Sequence, residues 1–503
     1  MASTPLREQL RGALGTIERL RAENETLRTE IDVARSENEA LRAENGSLGD
    51  RVSRLEAERK ADSSTTGKPP SSDPIGPRKK RAERRAEERA EKRRQGKQPG
   101  APGANLQRRA PDAVVVHEPE HCGSCGADLA GAELVGHAVR QVVDLPPVRP
   151  VVTDHVVYRL RCPCGAETIA DFPPEAKAPV CFGPEVRAFA TYLLDRQHLP
   201  LERTAELLED LLGVKVSTGW LCAVQAEAAE KLTPFLAWLK ERLATEPVLH
   251  ADETGTAVLT TKHWAHTLTN NLLTLIAVHP RRGREAFADI GILADYAGTL
   301  VHDGYASYDE FSAGLHAQCG AHLLRHLKNV GQADIFVVWA SQVTGVLMEA
   351  KGASEAAAAA GLPAVEPARA EEIRRSYGTI VNSVFDLLPP GRPPRKCHTG
   401  GWSTAERKAW NLATRLRDDA DQVLRLLDDT RVPLDNNAAE RALRMVKLHD
   451  KISGPFHSLA GAQAFAAVRS YLQTAANYHE NLLGALRQLF TGGAWFPAVA
   501  APG

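Results

Sequence analysis

Three acidic residues stand in contexts that could do chemistry. Asp252 closes the short apolar run Val248-Leu249-His250-Ala251-Asp252-Glu253-Thr254, and Asp303 closes a second, Thr299-Leu300-Val301-His302-Asp303-Gly304-Tyr305. Each run reads as a buried strand that delivers an aspartate at its end. Glu440 lies in PLDNNAAERALRMVKL, from Pro433 to Leu448, an amphipathic helical pattern with Asp435 as the expected N-cap and Asn436 and Asn437 in the first turn. Leu443, Met445 and Val446 are expected to face inward. Taken alone, Glu440 has an ordinary reading, a helix salt bridge to Arg444 one turn on, with Arg441 and Lys447 adding positive charge. Carboxylates brought together by neighbouring strand ends and a helix on the sheet have another. They repel one another unless cations sit between them, and oxygen donors of this kind suit Mg²⁺ or Mn²⁺.

A second set of candidate ligands is sulfur. The chain has eight cysteines, and four of them form two tight pairs, Cys122-Gly123-Ser124-Cys125 and Cys162-Pro163-Cys164-Gly165. Such pairing favours metal binding over a disulfide framework. Two knuckles joined by a hairpin, with strand-like runs around Val139 to Val143 and Val151 to Leu160, predict a small zinc ribbon, in which four thiolates supply fold energy that so small a core cannot. The second pair has a single intervening residue, so His121 or Cys181 is an alternative ligand, and reduced structural cysteines are the alternative to zinc. Cys319 and His322 share a C-x₂-H spacing that is more often structural than a ligand pair.

The elements that must position the carboxylates follow from periodicity. Between Asp252 and Asp303 lie strand-like runs at His263 to Thr269 and Leu272 to His279 and a helical segment from Arg284 to Tyr296, an order that suits a mixed sheet with helices packed on it. The sheet is expected to end near Leu315 to Cys319, where a basic helix begins. Residues 246–330 and 431–460 form the expected catalytic core, 331–430 a helical insertion with breaks near Ala356 to Pro367 and Pro389 to Pro394, and 461–503 closing helices. In the helical region 181–245, Leu201 to Leu212, Gly213-Val214-Lys215 and Ser217 to Ala229 read as helix, turn, helix. That is either a DNA-reading module or a pair of helices packed on the core; Gly219 and Trp220 carry no base-reading group.

Ahead of these lies a different kind of sequence. Within 1–60, Leu6, Leu20, Leu27, Leu41, Leu48 and Leu55 occupy d positions and Leu10, Ile17, Ile31 and Val52 a positions of a heptad, with Asn24, Asn38 and Asn45 also at a. Glu23 with Arg28, Glu30 with Arg35 and Glu37 with Arg42 supply g to e pairings, so a parallel homodimeric coiled coil is predicted. Residues 61–112 read as a flexible basic linker. Ala61 to Ile75 is a tether rich in Ser, Thr, Pro and Gly, and Arg78, Lys79, Lys80, Arg81, Arg84, Arg85, Arg93 and Arg94 make a positive stretch for which phosphate backbone is the natural partner, a solvated linker being the alternative. Arg441 and Arg444 add to the candidate DNA contacts.

The HADET, HDGY and DNNAAER segments resemble the three signatures of the DDE transposases of the insertion sequence 66 family, the TnpC type, and the resemblance covers nearly the whole chain. It implies a ribonuclease-H-like catalytic fold, a helical insertion before the glutamate, and a triad falling on Asp252, Asp303 and Glu440. One departure is visible: Cys319-Gly320-Ala321-His322 stands where the family usually has Cys-Trp-Ala-His. The fold class expected is therefore multidomain α+β: a parallel coiled coil, a zinc-binding domain at 113–180, and a mixed α/β catalytic core holding two Mg²⁺ or Mn²⁺ ions.

At 503 residues several domains are expected. A hydrophobic content of 43%, a net charge of -1 and no long apolar run exclude a membrane-spanning chain, and Met1 to Leu20 is no secretory signal, so a cytoplasmic, nucleoid-associated protein is expected. Its expected partners are element ends and target DNA, a second copy, and accessory transposition proteins. The alternative functions are a dimeric zinc-containing DNA-binding regulator with an inactive core, and a nuclease of the same fold.

Overall fold

The computed structural model describes residues 106–146, 148–393 and 401–498. The coiled-coil pattern and the basic residues from Arg78 to Arg94 lie outside the described residues. The chain divides into two compact units, the smaller taking in 106–176 and Ala205–Ser217 of the described residues and the larger the rest.

In the smaller unit two short antiparallel strands, β1 (Arg159–Arg161) and β2 (Glu167–Ile169), flank the second cysteine pair, with Arg159 opposite Ile169. The strands expected around Val139 to Val143 do not form, and of the run from Val151 only its end enters β1. The reason is burial. A β-branched run becomes a strand by covering one face, and here Val142 and Val151 stay 88% and 92% exposed.

The larger unit opens with helices. α1 (Pro184–Thr191) runs into a π turn at Tyr192–Arg196, and the division between the units falls inside α2 (Leu201–Leu212). After Gly213, which takes φ +65°, come α3 (Thr218–Lys231) and α4 (Thr233–Ala244). The exposed residues of α3 include Gly219, Cys222, Ala223, Ala226 and Glu230, none of which offers a guanidinium or amide to a base edge. Its Gln225 instead donates to buried Asp195 at 2.6 Å.

Next comes the sheet. β3 (Val248–Val258), β4 (Thr261–Thr269) and β5 (Thr274–His279) form an antiparallel meander. β6 (Thr299–His302) and β7 (Leu315–Gln318) then add in parallel on the other side of β3, giving the order β5-β4-β3-β6-β7. The helix expected from Arg284 to Tyr296 stops early, as α5 (Arg284–Ile290), because Gly291 at φ +76° provides a left-handed C-cap; a 3₁₀ turn follows at Leu293–Asp295.

α6 (Gly320–Val330) leaves the sheet and leads to α7 (Val337–Ala359), α8 (Pro367–Ser383) and α9 (Thr404–Asp418). These helices share a core of their own, with Leu323, Trp339, Val343, Ile373, Tyr377 and Leu412 all buried. The chain returns through α10 (Asn437–Ile452) and finishes with α11 (Leu459–Asn477) and α12 (Leu482–Thr491). Helices cover both faces of the sheet: Phe235, Leu239 and Leu472 pack with Leu249, Leu268 and Leu275, while Leu443 and Val446 pack with Ala265, Ile276 and Val278. α11 also guards the edge. The Ile276 and Thr274 amides of β5 donate to Ser470 Oγ and Thr474 Oγ1 at 2.8 and 3.2 Å, so these edge donors are not left open for another strand.

Candidate functional site

The parallel pairing of β3 with β6 sets the first two carboxylates. Leu249 lies opposite Leu300 and His250 opposite Val301, so two residues further on Asp252 stands across from Asp303. The side chain of Asp252 accepts the Glu253 amide at 2.8 Å. Burial pushes its carboxyl well above the usual range, and the charges of Glu253, Asp303 and Glu440 push it the same way. Residues far apart in sequence therefore act on one carboxyl.

Asp303 begins a turn that is held from several sides. Its Oδ1 accepts the Tyr305 amide at 2.9 Å, and Gly304 takes φ +80°, a conformation that favours glycine. The Gly304 amide donates to His302 Nδ1 at 3.1 Å. That bond makes His302 Nε2 the donor to His316 Nδ1 at 3.0 Å, and His316 Nε2 the donor to the Phe311 carbonyl at 2.8 Å. Burial keeps His302 neutral by lowering its pKa to about 3. From the helical arm, Arg415 of α9 donates to the Asp303 carbonyl at 2.7 Å and to Gln318 at 2.8 Å. A Cβ on residue 304 would fall 1.8 Å from that guanidinium, a second reason for glycine.

Glu440 arrives on α10. Asn436, fully buried, fixes that helix to β3: its side-chain oxygen accepts His250 Nδ1–H at 2.8 Å and its amide nitrogen donates to the Ala251 carbonyl at 2.8 Å. Further along, Lys447 donates to the Gly255 carbonyl and Thr256 donates to Asp450 at 2.9 Å. The expected start of the helix shifts by one residue. Asn436 is the N-cap without a side-chain capping bond, and Asp435 supplies the cap from one position earlier by accepting the Asn437 amide at 3.1 Å. Leu443 and Val446 are buried as expected, whereas Met445 is only partly covered. The salt bridge from Glu440 to Arg444 is not made. Glu440 Oε1 lies 3.9 Å from His322 Nδ1 and 3.7 Å from Arg325 Nη2, both on α6, while Arg441 and Arg444 are exposed to solvent.

The glycine at 320, where the resembling family carries tryptophan, has a local explanation. A Cβ there would lie 2.5 Å from the Leu434 side chain, which occupies the space, and the Gly320 amide donates to the Leu434 carbonyl at 2.6 Å.

Other residues at the site carry no local signal in the sequence. Glu253, whose side chain is fully buried, accepts Tyr308 Oη–H at 2.5 Å and Arg282 Nε–H at 2.9 Å, and Arg282 in turn lies 3.9 Å over the Tyr305 ring. This bracing, like Asn436, Arg415 and His302, joins positions distant in the chain. The nearest hint was composition: an unused Glu beside Asp252 and paired asparagines ahead of Glu440.

Three oxygen donors suit hard divalent ions, and the repulsion that adds to burial in raising the Asp252 pKa is what such ions would relieve. Among the described residues, the groups of three potential ligands within 4.8 Å of one another are His302 with Asp309 and His316, and Cys319 with His322 and Glu440. Glu440 thus shares its immediate surroundings with α6, and Asp252, Asp303 and Glu440 do not themselves form such a group.

In the smaller unit each cysteine pair closes on itself. The Cys122 amide donates to the Ala127 carbonyl at 2.8 Å and the Cys162 amide to the Ala166 carbonyl at 2.8 Å. Backbone amides and the partner thiol lower the Cys122 pKa, through Cys125 first, and the Cys164 pKa, through Ala166 first, as a thiolate ligand requires. Cys125, Cys162, Cys164 and Cys181 are exposed, and the two pairs are not gathered into one group of ligands.

Comparison with known proteins assigns both units. The model of the family described as "Transposase IS66 family" matches residues 179–464, which contain Asp252, Asp303 and Glu440. That of the "zinc-finger binding domain of transposase IS66" matches 119–165, which contain both cysteine pairs, and a family of unknown function matches 5–107. Uncharacterized protein y4qI of Sinorhizobium fredii (strain NBRC 101917 / NGR234) is 26% identical over 385 residues, spanning 69% of this chain and 67% of its own.

Proposed function

This chain belongs to the IS66 family of transposases, and from that premise we propose that it moves an insertion sequence by metal-dependent DNA cleavage at the element end and joining of the freed 3′ hydroxyl to target DNA. The observation that carries the reading is the convergence on Asp252, whose carboxyl is pushed up first by burial and then by the charges of Glu253, of Asp303 from the neighbouring strand and, least, of Glu440 from a helix that returns after the insertion. The strand order, an antiparallel meander continued by two parallel strands, supports a ribonuclease-H-like core.

In this reading Asp252, Asp303 and Glu440 hold two Mg²⁺ or Mn²⁺ ions. When bound, such ions lower the pKa of the attacking hydroxyl and neutralise the charge that develops on the leaving oxygen. The protein supplies position. Asn436 fixes Glu440 relative to β3, Arg415 and His302 fix the Asp303 turn, and Glu253 with Arg282 and Tyr308 braces the strand that carries Asp252. No covalent protein nucleophile is required. The exposed Arg441 and Arg444, on the same helix as Glu440, suit the phosphate backbone of a bound strand, and the basic stretch from Arg78 to Arg94 extends that attraction. The zinc-finger unit holds Zn²⁺ through Cys122, Cys125, Cys162 and Cys164, and the heptads of 1–60 dimerise the chain. Among the described residues no helix is long and apolar enough to cross a membrane, consistent with a cytoplasmic protein working at the nucleoid.

Recombinant protein given end-containing DNA with Mg²⁺ or Mn²⁺ tests the reading when cleavage and joining are scored separately. Both activities are expected, and both should disappear in Asp303→Asn with DNA binding retained. Cleavage without joining would identify a nuclease, and binding without cleavage a regulator.

A further inference from the structure

The donors around Glu440 are not all oxygen. The Cys319 sulfur, a ring nitrogen of His322 and a Glu440 oxygen lie within 4.8 Å of one another. Cys319 and His322 are three residues apart at the start of α6, so the helix presents them on one face. Backbone contacts hold that turn in place: the Cys319 amide donates to the His302 carbonyl at 2.8 Å, and the Gly320 amide to Leu434 at 2.6 Å. Glu440 is fixed just as independently, through Asn436 and β3. The three donors are therefore gathered by the fold itself.

His322 gives the second observation. Its Nδ1 is buried, has no hydrogen-bond partner, and faces Glu440 Oε1 at 3.9 Å. A buried ring nitrogen left unpaired destabilises the fold, a cost that a ligand bond would recover. The separation is too long for a hydrogen bond but close to the ~3.4 Å between two ligands in a tetrahedron of roughly 2.1 Å bonds. The other histidine group differs, since His302 and His316 each use both ring nitrogens in hydrogen bonds.

We propose that Cys319, His322 and Glu440 form a mixed sulfur, nitrogen and oxygen half of the cation site, selective for a first-row transition ion over Mg²⁺. This deepens the transposase reading and rests on it for Glu440. Thiolate and imidazole are poor ligands for Mg²⁺ and good ones for Zn²⁺ or Co²⁺. Arg325, 3.7 Å from Glu440, supplies a counter-charge to the carboxylate from the same helix.

Co²⁺ is the probe. Full-length protein is first saturated with Zn²⁺ and freed of excess, so that the zinc-finger cysteines are filled, and the Zn²⁺ at α6 is exchanged for Co²⁺ by brief dialysis. A thiolate-to-cobalt charge-transfer band is expected. It should vanish in Cys319→Ser, and in His322→Gln Co²⁺ should bind about tenfold more weakly or worse, since even an outer partner of a metal ligand usually costs that much. Circular dichroism of each variant confirms folding. Wild-type Co²⁺ affinity in both variants would overturn the proposal, and the triad would stand if Asp252→Asn still abolished Mg²⁺-dependent cleavage. The converse is equally distinct: a cobalt band lost in Glu440→Gln while that variant cleaves DNA normally would retain this site and remove Glu440 from catalysis.

Discussion

Asp252, Asp303 and Glu440 stand on a strand, the turn after a strand and a helix whose apolar faces are buried, with Asp252 and Asp303 each accepting a nearby backbone amide and the helix of Glu440 tied to β3 through Asn436. Cys122, Cys125, Cys162 and Cys164 stand on tight turns in a unit where Val142, Val151 and Leu160 remain exposed. The first site is shaped by a core that would exist without it. The second has correct local turns and no comparable core, so the bonds to its ion must supply most of the energy that gathers it. Both sites bind metal in the reading given above, but the dependence between metal and fold runs in opposite directions.

The largest effect that tests this contrast is metal removal from the cysteine unit. Structural zinc contributes about 10–16 kcal/mol of apparent binding energy in small fingers. Chelation, or Cys122→Ser with Cys125→Ser, is expected to expose 106–176 to protease while the larger unit keeps its cooperative melting transition. An undisturbed cysteine unit after complete zinc loss would break the comparison. Next come Asp252→Asn, Asp303→Asn and Glu440→Gln, each expected to lower strand cleavage on the order of a thousandfold or more. Their melting temperatures should stay near wild type, because the core does not need the ions. A variant that unfolds would place the carboxylate site in the same class as the cysteines.

Asn436→Ala sharpens the contrast further. It leaves the His250 ring and the Ala251 carbonyl buried without partners, so a stability loss of about 2 to 4 kcal/mol is expected in denaturant titrations, along with reduced cleavage. The smallest effect is a pH slope. Burial pushes the Asp195 carboxyl up to about 7, against Gln225 and Arg469, which pull it down. The folded state then holds that proton more tightly than the unfolded chain, so this contribution to stability is full below about pH 4 and is lost as the pH rises through 7. Asp195→Asn should flatten the melting profile over that window; an unchanged slope would show that the larger unit accommodates the ionised carboxylate at no cost.

Much of the carboxylate site was legible because strands and helices announce themselves by period. Both acidic runs, the meander between them and the amphipathic return helix all form, but β3 runs on past Asp252 to Val258, so Asp252 lies inside its strand and only Asp303 directly follows a strand end. What the sequence withheld is lateral. Nothing local to Asn436 says that its amide reaches His250, and nothing in α9 says that Arg415 will grip the turn after β6. The cysteine unit shows the reverse failure. Its knuckles were visible from spacing, while Val139 to Val143 is rich in valine like a strand without the neighbour that a strand needs.

The hydrogen bond from Gly320 to Leu434 joins the residue that opens α6 to the one just ahead of Asp435. The whole helical arm is therefore an excursion whose two ends meet. Closing such an excursion depends only logarithmically on its length, each doubling costing about 0.6 kcal/mol. Lineages or engineers can lengthen, trim or exchange the arm between these two points while the carboxylates stay where they are. Any replacement has to bring its own equivalent of Arg415 back to the Asp303 turn.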